Sequence, residues 1–313
     1  MYFPYLYARQ GECKAIEDVA GRLGKPQNVF PVFEPVVANS KDLIRALDAL
    51  HASNDSSYVI VNPSQHKFQE PGALVTWASA VKSHLNNAAL VRPTLEIRPG
   101  VSLNDLNAFV ANFPGRELGI SIRSSHIAAA DIRYVTQKLA VMHFLHSSAD
   151  PAGYSVGIGG SRTVEVRDSF RTEVRNADYA GFEPFTSANL HFSKEGRTGF
   201  SDYALLPGRF NPNGGPIGAA VVHMTFIDRQ DTSIWVHHFV SDETRQYQGT
   251  QPSKLMEAMT KLDAEVRSEP SKFDRTPGLV SYEAQYSARR PTSPTYNKRQ
   301  QISHHIDTVA GAL

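Results

Sequence analysis

Six apolar, strand-like runs occupy 2–9, 29–34, 58–62, 90–98, 118–123 and 139–146. Each ends on polar or charged residues, and a helix-like stretch follows most of them. Apolar strands alternating with helices predict a parallel sheet covered by helices. If the sheet closes, the carboxyl ends of its strands converge on one face, where barrel proteins build their sites. Arg9, Glu34, Asn62, Glu96, Arg98, Arg123 and His146 all fall at such ends. The expectation is a TIM-like (β/α) barrel with these residues crowding its mouth.

The helices are read from period and cap. Ser40 precedes Lys41-Asp42, and Leu43, Ile44, Leu47 and Leu50 then share a face. Ser102 and Asp105 fit a capping box ahead of Leu106, Phe109, Val110 and Phe113. Further helices are predicted at about 11–23, 73–85 and 127–137. After about residue 150 the rhythm changes. Strand candidates at 219–226 and 233–240 flank Asp228-Arg-Gln-Asp231, which predicts an antiparallel hairpin. A helix from about 254 to 266 follows, and the proline-rich chain from 270 onward reads as irregular. The expected organisation is one barrel-like domain over 1–313, regular through 1–150 and elaborated through 151–313. A two-layer α/β domain with an appended β segment is the alternative.

Charge is balanced, with 32 Lys+Arg against 31 Asp+Glu in 313 residues. That gives no bulk attraction to nucleic acid or anionic lipid. The single cysteine, Cys13, excludes an internal disulfide and a thiolate metal cluster. Met1-Tyr-Phe-Pro-Tyr-Leu6 has neither a basic start nor a long apolar core, and no run approaches the roughly 20 apolar residues of a membrane span. The chain reads as soluble and cytoplasmic.

On a strand, Thr94, Glu96 and Arg98 face one way and Leu95 and Ile97 the other. Charged residues on the inward face have two readings. One is a structural ion pair between strands. The other is a site in which Glu34 or Glu96 acts as general base or metal ligand. In that site Arg9, Asn62, Arg98 and Arg123 would bind an anionic small molecule. Among the 12 histidines, His223 and His238 are best placed to share a face of the hairpin. With Asp202 and Asp242 they would make a divalent-metal site, although the spacing matches no standard zinc motif. The Gly157–Arg162 stretch could form an anion nest but lacks the lysine of a P-loop, and no nucleophile-elbow GxSxG is present. Arg289, Arg290, Lys298 and Arg299, interleaved with Tyr286 and Tyr296, suit either a solvated surface or contact with nucleic acid.

Pro4-Tyr-Leu-Tyr-Ala-Arg-Gln-Gly-Glu12 and Phe30-Pro-Val-Phe-Glu-Pro-Val36 resemble the start of the beta-protein family of bacteria and phages. The likeness continues through Arg175-Asn-Ala-Asp-Tyr179, Gly199-Phe-Ser-Asp-Tyr203, Gly214-Gly-Pro216, His238-Phe-Val-Ser-Asp242 and Ser303-His-His305. It implies a TIM-barrel-type fold, an antiphage or mobile-element setting, and a nuclease-like protein partner encoded nearby. Arg9 stands where the resemblance leads one to expect a lysine, so it implies no amine nucleophile here.

Overall fold

The computed structural model describes residues 1–149, 154–159, 162–212, 218–268 and 270–313. The chain divides into two compact units. One comprises Met1–Asp168 with His191–Tyr203, and the other Ser169–Leu190 with Ala204–Leu313.

The first unit is an eight-stranded parallel barrel. Its strands are β1 (Tyr5–Leu6), β2 (Val32–Phe33), β3 (Ser57–Ile60), β4 (Val91–Ile97), β5 (Leu118–Ile122), β6 (Val141–His146), β7 (Thr163–Arg167) and, after the departure to β8 (Phe182–Thr186), β9 (Gly199–Asp202). Apart from β8, which belongs to the second unit, they neighbour one another in chain order and every pairing is parallel. The ends of the sheet nearly close. Tyr2 bridges both Val29 and Phe200, Phe3 N donates to Phe200 O at 3.0 Å, and Phe200 N donates to Met1 O at 3.1 Å. The first two strands are two residues each, and Pro4 and Pro31, which have no N–H to give to a ladder, stand immediately before them.

Helices α1 (Gln10–Val19), α2 (Lys41–Ala52), α3 (Ala73–Leu85), α4 (Leu103–Asn112), α5 (Ala129–Thr136) and the short α6 (Tyr154–Ile158) connect the strands. The period-two pattern decides which side chains meet them. Leu95, Ile97, Ile120, Ile122 and Leu145 pack outward with Leu106, Phe109 and Ile132 from α4 and α5. Each such burial contributes about 1.5–3 kcal/mol. The alternate positions point inward, where Phe3, Tyr58 and Phe144 meet edge to face with ring centres 5.0 to 6.1 Å apart. Gly119 makes room for them, since a Cβ there would collide with Thr94 Oγ1 and the Tyr58 ring.

The second unit is a three-stranded antiparallel sheet in the order β10 (Val221–Ile227), β11 (Ile234–Val240), β8. The expected hairpin is present, with His223 directly opposite His238. Its third strand, β8, comes from the segment between β7 and the last barrel strand; that segment also contains the short α7 (Ala188–His191). Val222, Met224 and Phe226 pack with Leu255, Met259 and Leu262 of α8 (Gln251–Val266) and with Leu279 and Tyr282 of α9 (Pro277–Ser287).

The chain beyond 270 is not irregular: α9 is followed by α10 (Pro294–Gly311). The prolines start these helices rather than break them. Pro277 and Pro294 occupy the first turn behind Thr276 and Ser293, whose side chains accept from Leu279 N and Tyr296 N. A proline there loses only an N–H that the helix would leave unpaired. The Gly214-Gly-Pro216 run and part of the 157–162 glycine stretch lie outside the described residues.

Candidate active site at the barrel mouth

Arg123 follows β5 and reaches two carboxylates at once. Its Nη2 lies 2.5 Å from Glu34 Oε2, after β2, and its Nε lies 2.6 Å from Glu96 Oε1, in β4. Gln65 Nε2 also donates to Glu34 Oε1. Asn62 fixes the backbone of Glu96 from both sides, accepting from its N–H at 2.8 Å and donating to its carbonyl at 3.0 Å. Arg98 Nε stands 3.9 Å from Glu96 Oε2. The side chains of Glu34 and Glu96 are 1% and 2% exposed, while those of Arg123 and Arg98 are 21% and 27%. The guanidinium groups therefore form the lip, with the carboxylates below it.

This arrangement sets the proton affinity of Glu96. Burial and the neighbouring charge of Glu34 push its carboxyl up to about 7, against the pull of Arg123. A carboxyl poised near neutrality can both give and take a proton. Arg98 supplies an additional feature, because its Nη1 is buried without a hydrogen-bond partner. A donor in that state suits an anionic ligand oxygen.

Below the lip runs a chain of polar groups that the sequence reading did not assemble. Arg123 Nη2 donates to Tyr5 OH at 3.3 Å, and Tyr5 OH lies 3.4 Å from Ser121 Oγ. Ser121 Oγ is 2.8 Å from His146 Nε2, and His146 Nδ1 is 2.7 Å from Tyr203 OH. Burial, together with the charge of Arg123, holds the His146 imidazolium well below the ordinary range, so the ring is neutral. A neutral imidazole donates from one nitrogen and accepts at the other, which makes the chain directional. His146 was legible as a strand-end residue. Ser121 and Tyr203 carried no signal, because their partners are 25 and 57 positions from them.

The remaining expected mouth residue, Arg9, caps α1, and its backbone N–H faces Glu12 Oε2 at 3.5 Å. Arg289 and Arg299 of the basic segment lie over the rings of Tyr286 and Tyr296, with 5.8 and 5.1 Å to the ring centres.

The four residues expected to share a metal have separate partners. His223 and His238 do meet, but as a hydrogen-bonded pair with Nδ1 atoms 2.7 Å apart, and His238 Nε2 faces Glu183 Oε1 at 3.2 Å. Atoms at that separation share one proton and leave no room for an ion between them. Asp242 Oδ1 pairs with Lys261 at 2.7 Å, and Asp202, in the barrel unit, accepts from Tyr2 OH at 2.7 Å. Among the described residues, the group able to coordinate a divalent ion is Asp48, His51 and His84, whose ligand atoms lie within 4.8 Å of one another.

No helix among the described residues is long and apolar enough to cross a membrane. The fold and its sites define a TIM-like barrel protein with enzymatic potential, carrying an arginine-bridged pair of buried carboxyls at the mouth and a group able to hold a divalent ion. Compared with family models, with curated proteins and with solved structures, the chain matches none.

Proposed function

We propose that the barrel mouth is the active site of an acid–base enzyme acting on an anionic small molecule, a phosphoester or nucleotide. The observation that carries this reading is the Glu34–Arg123–Glu96 bridge, in which one carboxyl is poised near neutral pH. In the protonated form Glu96 gives its proton to a leaving-group oxygen; as a carboxylate it takes one from water. Glu34, held by Arg123 and Gln65, supplies the fixed negative charge that keeps Glu96 basic. Arg98, with its unpaired Nη1, contacts the anionic group, Arg9 completes the binding side, and Asn62, its amide engaged by the Glu96 backbone, serves binding by holding Glu96 in place.

The resemblance to the beta-protein family supports placing this enzyme in an antiphage or mobile-element defence module, beside a nuclease-like protein partner. A cytoplasmic setting agrees with the one buried thiol, Cys13, and the balanced charge. The basic residues Arg289, Arg290, Lys298 and Arg299 are the contact for nucleic acid if the module acts on it.

One observation favours a second reading, a non-enzymatic ligand- or protein-binding sensor. Both carboxylates are almost fully buried and satisfied by Arg123, as in a structural lock. Glu96→Gln separates the two readings, because it keeps an acceptor for Arg123 while removing the titrating group. With a panel of phosphomonoesters and nucleotides, the wild-type chain is expected to turn over at least one substrate. Glu96→Gln should lose roughly 100-fold or more while melting within a few degrees of wild type. Absence of turnover across the panel, with the defence phenotype retained in Glu96→Gln, would establish the sensor instead.

A further inference from the structure

The Asp48, His51 and His84 group lies away from the mouth, and its chemistry differs from that of the mouth. Asp48 and His51 are three residues apart on α2, so they share a face. His84 comes from α3 and meets Asp48 with Nε2 at 2.8 Å from Oδ1. The His51 and His84 rings stack with centres 5.6 Å apart. His51 Nε2 is buried without a hydrogen-bond partner, and His84 Nδ1 has Ser83 Oγ at 3.4 Å to orient the ring. Both histidines are the penultimate residues of their helices, where outward-pointing carbonyls favour a cation.

We propose that Asp48, His51 and His84 bind one transition-metal ion of the zinc class, which clamps α2 to α3 at the end of the barrel opposite the mouth. The location follows from topology. Helix α2 leads into β3 and α3 into β4, so their last turns lie at the amino ends of those strands, whereas Glu34 and Glu96 lie at carboxyl ends. The metal class follows from the donors: two imidazoles and one carboxylate suit zinc, while magnesium and calcium prefer oxygen alone. Tetrahedral zinc holds ligand atoms roughly 3.3 Å apart. The present atoms, with 2.8 Å between Asp48 and His84 and all within 4.8 Å, reach that by small side-chain rotations. Asp48 is 62% exposed, which leaves the fourth position to water. An ion bound here favours the folded chain by mass action and does not depend on the chemistry at Glu96.

The test uses the full chain stripped with a chelator and titrated with Zn(II), then with Co(II), whose visible absorption reports four-coordinate geometry. One equivalent of Zn(II) is expected to raise the melting temperature, and Mg(II) to leave it unchanged. Asp48→Asn removes no buried group, so it should fold normally and bind Zn(II) roughly 10-fold more weakly or worse. His84→Ala should abolish the one-equivalent step, and Glu96→Gln should retain it. Wild-type binding in both Asp48→Asn and His84→Ala would overturn the proposal. So would a response to Mg(II) equal to that for Zn(II), or no stoichiometric step at all.

Discussion

Arg123 and Glu34, 89 positions apart in the chain, meet at 2.5 Å between Nη2 and Oε2, and the same guanidinium holds Glu96 at 2.6 Å. One cation thus fastens the loop after β5 to β4 and to the loop after β2. Because both carboxylates are buried, its value lies less in attraction gained than in the charges it keeps paired.

Arg123→Ala should therefore be among the most damaging single changes in the barrel. It strands two buried carboxylates beside each other and is expected to cost about 3–5 kcal/mol in chemical denaturation. The triple change Arg123→Met, Glu34→Gln, Glu96→Gln leaves no buried carboxylate unpaired, only the partly exposed Arg98 without its weak 3.9 Å contact, and should recover much of that loss. Equal destabilisation in the single and triple variants would show that packing, not charge, holds the mouth.

The pH dependence of stability has two opposing parts. Glu96, raised to about 7 from 4.5 by burial and by Glu34, keeps its proton in the folded chain where the unfolded chain has already released it. Its contribution is fully present below about 4.5 and is lost as pH rises through about 7. Burial lowers His143 and His304 to about 4, and takes His146 and His223 well below their ordinary value of 6.5. Their contribution is present above 6.5 and is lost as pH falls toward 4, with a slope of up to about 1.4 kcal/mol per pH unit for each group. Four histidines outweigh one carboxyl, so the melting temperature should fall from pH 7 to pH 4. The stability of Glu96→Gln relative to wild type should rise between pH 4.5 and 7, and a pH-independent difference would contradict the assignment of Glu96.

Tyr203→Phe tests the polar chain beneath the lip. It removes the hydroxyl 2.7 Å from His146 Nδ1 inside the barrel and is expected to cost about 1–3 kcal/mol. Nitrogen-15 spectra of the His146 ring should show a change of tautomer population. An unchanged ring spectrum would mean that Tyr203 does not set the direction of the chain.

Gly199→Ala probes the closure of the barrel. A Cβ at this position would collide with Met1 O and sit 2.8 Å from the Phe3 ring, where the last strand meets the first. A loss of about 1–3 kcal/mol is expected from overpacking, read as a lower urea midpoint. A neutral effect would place the weak point of the barrel elsewhere.

The inward and outward faces of the barrel were legible in the sequence. Thr94 and Glu96 alternate with Leu95 and Ile97, and a strand of period two places them on opposite sides whatever surrounds it. The hairpin was legible for the same reason, down to His223 facing His238. Local spacing could not specify what those residues do once they meet. The two histidine rings turn their Nδ1 atoms toward each other and share a proton, a matter of side-chain rotation that strand register leaves open. Asp202 binds Tyr2 across 200 positions. The proline-rich end misled because a proline that opens a helix and one that ends a helix look alike until the capping bond from Thr276 or Ser293 is placed. Asp48 and His51 form a visible pair on one helix, but His84 joins them only because α2 and α3 pack side by side. Periodicity acts within one element and is written in its order of residues. A site is made of atoms from several elements, and their distances exist only after the barrel has closed.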